Sequence, residues 1–80
     1  MNMTFEEMQQ IISDSVGVEK EQIKPDTKLK EELGADSLDL FQIVVSVEEK
    51  YDIQMPEDEI EKIETAQDAL DEVNRLLKEG

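Results

Sequence analysis

Gly34-Ala35-Asp36-Ser37-Leu38-Asp39 opens the most apolar helix of the chain and sets the frame for the segments on either side. Gly34 marks the stop of what precedes it, because glycine alone takes a left-handed backbone without steric cost. Asp36 is a good N-cap, its carboxylate able to accept from amides of the first turn. Asp39, three residues on, sits at the positive end of the helix dipole. This places Ser37 at the first helical position, hydroxyl outward, on a terminus whose free N–H groups suit an anion such as a phosphate ester. The same signal suits an ordinary capped helix in which Ser37 has no task.

The helix that follows is predicted from about Ser37 to Tyr51. Leu40, Ile43, Val44, Val47 and Tyr51 form one continuous core stripe. Leu38, Phe41 and Val45 fall on a second face, about 130° away at 100° per residue. A helix that only packs does not need leucine, phenylalanine and valine on its outer side. Asp36, Asp39, Glu48 and Glu49 frame that second strip, and no lysine or arginine occurs from Glu31 to Glu49. An apolar strip with an acidic rim is the layout of a binding face. A helix buried nearly all round gives the same pattern.

Upstream, Thr4 and Glu7 make a capping box for a first helix, with Met3 available as a staple toward Met8. Phe5, Met8, Ile11, Ile12 and Val16 supply its stripe, and Gly17 its stop. A long connection follows, with Val18, Ile23, Leu29 and Leu33 as anchors and Pro25 as an extended corner. Leu29 to Leu33 is expected to make one helical turn. Downstream, Pro56 is expected at the first position of a third helix of about two turns, with Glu57, Asp58 and Glu59 at its positive end. Thr65 caps the last helix with Asp68 three residues later. Ala66, Ala69, Leu70, Val73, Leu76 and Leu77 form its stripe, Lys78 sits in its last turn and Gly80 follows. The fold expected is all-α: a four-helix bundle of three longer helices and one short one, with the long loop between the first and second.

The chain of 80 residues is expected to form one domain, 1–80, and a monomer. Its formal charge is −14, from 22 acids against eight bases. That argues against a nucleic-acid partner, which needs a basic face, and favours basic protein partners met through long-range steering. With no cysteine and no histidine, nucleophile–imidazole arrangements and zinc sites with nitrogen or sulfur ligands are excluded. Ser37 has no base beside it, so the expectation is no enzyme and no catalytic residue. Glu48, Glu49, Asp52 and the run Glu57 to Glu61 lack the EF-hand spacing, and solvated acids rather than a metal site are expected. No stretch has the length and apolarity of a signal peptide or a membrane span, and a cytoplasmic protein is the expectation.

The hexapeptide Gly34 to Asp39, at its distance from both ends of this short acidic chain, resembles the attachment site of acyl carrier proteins. The resemblance covers nearly the whole chain. It implies that Ser37, flanked by Asp36 and Leu38, is esterified with 4′-phosphopantetheine by a phosphopantetheinyl transferase. The arm then carries acyl groups as thioesters between acyl-processing enzymes, in fatty acid or related acyl-chain biosynthesis. It further implies a partner face of Asp36, Leu38, Asp39, Phe41, Val45, Glu48, Glu49, Glu57 and Glu61 that meets basic patches. An acyl pocket is implied at Leu29, Leu40, Val47, Ile63 and Ala69. Three residues depart from the family's habit. Gln42 replaces a common acid, Phe41 is bulkier than the usual valine, and Leu40 replaces a frequent small polar residue at the pocket mouth. An aminoacyl, D-alanyl or peptidyl carrier on the same scaffold, or an unmodified acidic helical adaptor, stays open at this point.

Overall fold

The computed structural model describes residues 2–79, so Gly80 lies outside the described residues. Four α-helices follow in order: α1 Phe5–Val16, α2 Ser37–Tyr51, α3 Glu57–Ile60 and α4 Ala66–Glu79. α1 packs on both α2 and α4, while α3 leans on α2. Among the described residues there is no strand, only an isolated antiparallel bridge between Lys28 and Thr65. The apolar stripes meet in one core that includes Met8, Ile12, Leu29, Leu40, Ile43, Val47, Ala69 and Val73.

Each long helix begins where its capping residues put it. The Thr4 side chain accepts from the Glu7 amide, and the Glu7 carboxylate returns a bond to the Thr4 amide. At α4, the Thr65 hydroxyl accepts from the Asp68 amide at 3.1 Å, and Asp68 accepts from the Thr65 amide at 3.1 Å. α1 stops at Gly17, whose φ of 74° is the left-handed conformation that glycine takes freely. α2 ends in the same conformation at Asp52, φ 53°, a residue that tolerates it better than most.

The connection from 17 to 36 is bound along its length. Gln9 of α1 donates to the carbonyls of Ile23 at 2.7 Å and Lys20 at 3.3 Å, and the Ser13 hydroxyl donates to the Val18 carbonyl at 2.6 Å. Residues Lys20–Gln22 form a 3-10 turn that the apolar pattern does not announce. Its signal is Gln22, whose side chain accepts from the Glu19 amide at 2.9 Å. Backbone bonds then join the loop to the start of α4: Leu29 N to Glu64 O at 2.9 Å, Ala66 N to Thr27 O at 3.1 Å and Gln67 N to Pro25 O at 2.9 Å. Two amides that the head of α4 would leave without acceptors are thereby satisfied. Leu29 to Leu33 makes the expected turn, closed by Glu32 N to Lys28 O at 2.8 Å and Ala35 N to Leu29 O at 3.0 Å.

α3 departs from expectation. Pro56 is its N-cap rather than its first helical residue, and the α-helix is one turn, not two. The chain tightens after it through bonds of Lys62 N to Glu59 O and Ile63 N to Ile60 O, each spanning three residues. This early exit brings Ile63 into the core and Glu64 O to the Leu29 amide. Arg75 of α4 holds the turn from outside, its guanidinium 2.6 Å from Glu59 and paired also with Glu72.

Two side-chain links lie beyond the reach of the stripes. The Asn74 amide accepts from Met3 N at 2.7 Å and donates to Met3 O at 3.2 Å, fastening the N-terminal segment to α4. Glu7 also accepts from the Tyr51 hydroxyl at 2.6 Å and pairs with Lys50 at 3.2 Å, fastening α1 to the end of α2. The Tyr51 bond, then the Thr4 amide and Lys50, hold the Glu7 carboxyl at about 2 against its ordinary 4.5. Burial, with Glu7 beside it, pushes Tyr51 up to about 12.

Two outcomes are expected from thermal melts. Leu29→Ala removes a fully buried side chain and lowers stability by about 2–5 kcal/mol. Phe41→Ala, on a side chain 54% exposed, changes stability by no more than about 0.5 kcal/mol in the same thermal melts. Because the Glu7 carboxyl is held below its unfolded value, its contribution to stability is complete above pH 4.5 and is lost as pH falls through about 2. A carbon-detected NMR titration of Glu7 then has its midpoint near 2, and Tyr51→Phe moves that midpoint upward toward 4.5.

Candidate functional site

Ser37 is the first residue of α2, and it is exposed. Gly34, φ 70°, ends the preceding turn, Ala35 is buried, and the chain enters the helix from a fixed direction. Asp36 accepts from the Asp39 amide at 2.9 Å, and Asp39 accepts in return from the Asp36 amide at 3.3 Å. The sequence marks Asp36 as the cap; the reciprocal bond from Asp39 is the structure's addition. With those amides taken, the N–H groups of Ser37 and Leu38 are the ones left without acceptors inside the helix. An anion bonded to the Ser37 oxygen lies beside them, where the dipole favours negative charge.

The outer strip of α2 is solvent-facing at its head. Leu38 is 66% exposed and Phe41 is exposed, while Val45 is half-buried. Asp36, Glu49, Glu57 and Glu61 are exposed, and Asp39 and Glu48 are half-buried. Glu48 has an internal task as well, since its carboxylate accepts from the Met55 amide at 2.8 Å and closes the turn after α2. Gln42 is exposed on the same helix.

Leu29, Leu40, Val47, Ile63 and Ala69 are buried together around one small apolar cavity in the centre of the bundle. Its volume is about 10 Å³, roughly the space of a single water. A separate groove of about 140 Å³ runs beside Ser37, walled by Leu40 and Phe41 of α2 and Ile60 of α3. Glu57 and Glu61 stand on its α3 side, and Lys30 of the connecting turn on the other. Leu40 borders both the groove and the central cavity. Sequence reasoning missed Lys30 and Ile60 here. The available signal was that Lys30 is the last base before the stretch from Glu31 to Glu49 that holds none.

A wider hollow, about 460 Å³, lies between α3 and α4 among Glu59, Asp71, Glu72 and Arg75, and no residue of α2 lines it. It is a solvated cleft spanned by the Arg75 ion pairs. Among the described residues no group of three or more carboxylates is arranged to hold a metal ion. No helix among them is long and apolar enough to cross a membrane.

The site is thus an exposed hydroxyl at the head of a helix in a small acidic bundle. Comparison with known proteins places the chain in a family. Residues 6–73 match the family described as PP-binding, phosphopantetheine attachment site. An acyl carrier protein of Chlorobium phaeobacteroides is 44% identical over 66 residues, covering 82% of this chain and 85% of that protein. Among solved structures, the hexanoyl acyl carrier protein of the actinorhodin polyketide synthase from Streptomyces coelicolor superposes with a TM-score of 0.85 at 23% identity, over 100% of this chain and 96% of that one. The oxytetracycline acyl carrier protein superposes with a TM-score of 0.81 at 24% identity, over 99% and 86%. At those identities the two structures speak for the helical fold alone. The chain belongs to the phosphopantetheine-attachment family, the acyl carrier proteins. Its cofactor is therefore 4′-phosphopantetheine, and its working partners are a transferase that installs the arm and enzymes that act on the carried acyl group.

Asp36→Ala removes the cap and one of the two reciprocal bonds that begin α2. A loss of about 0.5–2 kcal/mol is expected. Amide exchange should rise first at residues 37 to 40, and exchange in α4 should stay as it is.

Proposed function

We propose that Ser37 is the residue that receives the phosphopantetheine arm, and that the exposed head of α2 is where partner enzymes dock. The observation that carries the reading is the exposure of Ser37 at the first position of a helix whose Asp36 and Asp39 carboxylates are already bonded to amides. In the loading step the Ser37 oxygen forms a bond to phosphorus as the pyrophosphate bond of coenzyme A breaks. The nucleotide half leaves, and the serine proton passes to the transferase. Once attached, the group supplies a terminal thiol that forms thioesters. Asp36 keeps the helix head in shape, and Leu38, beside Ser37, offers an apolar contact to the visiting enzyme.

Asp36, Leu38, Asp39, Phe41, Val45, Glu48, Glu49, Glu57 and Glu61 form the docking face, its acids suited to basic patches on those enzymes. Leu29, Leu40, Val47, Ile63 and Ala69 form the lining that an acyl chain meets if it withdraws into the bundle. At about 10 Å³ the cavity admits a chain only when the helices part. The chain acts as a substrate and shuttle with no catalytic residue of its own, as one domain, a monomer in the cytoplasm. Fatty acid synthesis and related acyl-chain pathways both fit this role.

Incubation with coenzyme A and a broad-specificity transferase is expected to add the mass of one phosphopantetheine. Ser37→Ala should abolish the gain while leaving the melting temperature nearly unchanged. Absence of a mass gain with a transferase shown to be active on another carrier would sink the assignment. Glu49→Lys and Glu57→Lys should slow association with the transferase at low salt, and the difference should shrink as salt rises.

A further inference from the structure

The groove beside Ser37 has the attributes of a cradle for something tethered at its rim. Ser37 itself is among the lining residues, so a group on its oxygen starts at the edge of the groove. Leu40, Phe41 and Ile60 offer apolar contact along the walls. Four acids crowd the neighbourhood, Asp36 and Asp39 at the helix head and Glu57 and Glu61 on α3, and each repels an added anion. Lys30 is the one base in the lining. Lys20, Lys28 and Lys50 are paired with Glu6, Glu31 and Glu7, but Lys30 has no ion-pair partner among the described residues. Lys24 and Lys62 likewise have no ion pair among the described residues, so what sets Lys30 apart is its place in this lining, beside the position proposed for a phosphodiester.

We propose that Lys30 and this groove hold the near half of the phosphopantetheine arm, the phosphodiester against the Lys30 ammonium and the pantoyl methyls against Leu40, Phe41 and Ile60. The proposal rests on Ser37 being the attachment point. At about 140 Å³ the groove is far roomier than the central cavity, and it seats the head of the arm rather than its whole length. The thiol end therefore stays outside, free to reach a partner's active site. Lys30 is a positioning residue in this arrangement. It offsets the surrounding carboxylates, keeps the arm's first segment on the α2–α3 side, and shortens the arc that the thiol sweeps. Because the Lys30 ammonium is exposed, its hold on the phosphate is the worth of a surface ion pair and weakens with salt.

The test uses the full chain loaded with unacylated phosphopantetheine. Nuclear Overhauser contacts are expected from the pantoyl methyls to the Phe41 ring and the Ile60 methyls, together with a phosphorus resonance that shifts with added salt. In Lys30→Gln the contacts should weaken by about two- to five-fold, the worth of one exposed ion pair. Lys30→Arg should restore them, and Lys24→Gln, the same charge change outside the groove, should leave them intact. Amide spectra of each variant confirm the fold. Absence of the contacts in the loaded wild type, or contacts undiminished in Lys30→Gln, overturns the proposal. Failure to load at all would instead tell against Ser37 as the attachment point, so the two results are separable.

Discussion

The short run of backbone bonds between the loop and the head of α4 is the constraint on which the working end of the molecule depends. Leu29 N to Glu64 O, Ala66 N to Thr27 O and Gln67 N to Pro25 O hold residues 25 to 29 against 64 to 67. Each satisfies a polar group that the bundle would otherwise have to hydrate, and the last two also cap α4. With Leu29 buried at the same point, the loop cannot slide without exposing both its main chain and a fully buried anchor. The turn to Leu33, the left-handed Gly34 and the capped entry to α2 then follow as a nearly rigid sequence of steps. Ser37 owes its position to contacts made well upstream of it.

Much of this was legible in the residues. The capping pairs Thr4 with Glu7 and Thr65 with Asp68, and the cap Asp36, mark helix starts because short polar side chains answer a fixed need of the backbone. The two stripes of α2 separate buried Leu40, Ile43, Val44 and Val47 from exposed Leu38 and Phe41, since one helical period decides which side chains face the core, while Tyr51 and Val45 are both half-buried. The long loop was less legible. Its anchors could be picked out by their apolarity, but the bridge of Lys28 to Thr65 and the links from Gln9 and Asn74 are long-range bonds between polar groups, and no local period encodes them. The start and length of α3 were misjudged for a related reason. A proline followed by acids reads as the head of a helix, while the need to deliver Ile63 and Glu64 to their partners ends that helix after one turn.

The site shows the same division. The hexapeptide singles out Ser37 as the proposed attachment point, and the outward face of α2 follows from spacing. The groove depends on how α3 leans on α2, so Lys30 and Ile60 become neighbours of Ser37 only when three separate segments are placed. Charge organises what remains. Four of the eight bases are taken up in ion pairs, Lys20 with Glu6, Lys28 with Glu31, Lys50 with Glu7 and Arg75 with Glu59 and Glu72, and no lysine or arginine occurs from Glu31 to Glu49 to offset the acids of α2.

The exposure of Leu38 and Phe41 has an evolutionary side. Neither belongs to the packed interior, so an exchange at either position leaves the bundle as sound as before. Selection on folding therefore constrains them weakly, and on the docking role proposed for them they are positions where recognition could change with the scaffold inherited unchanged.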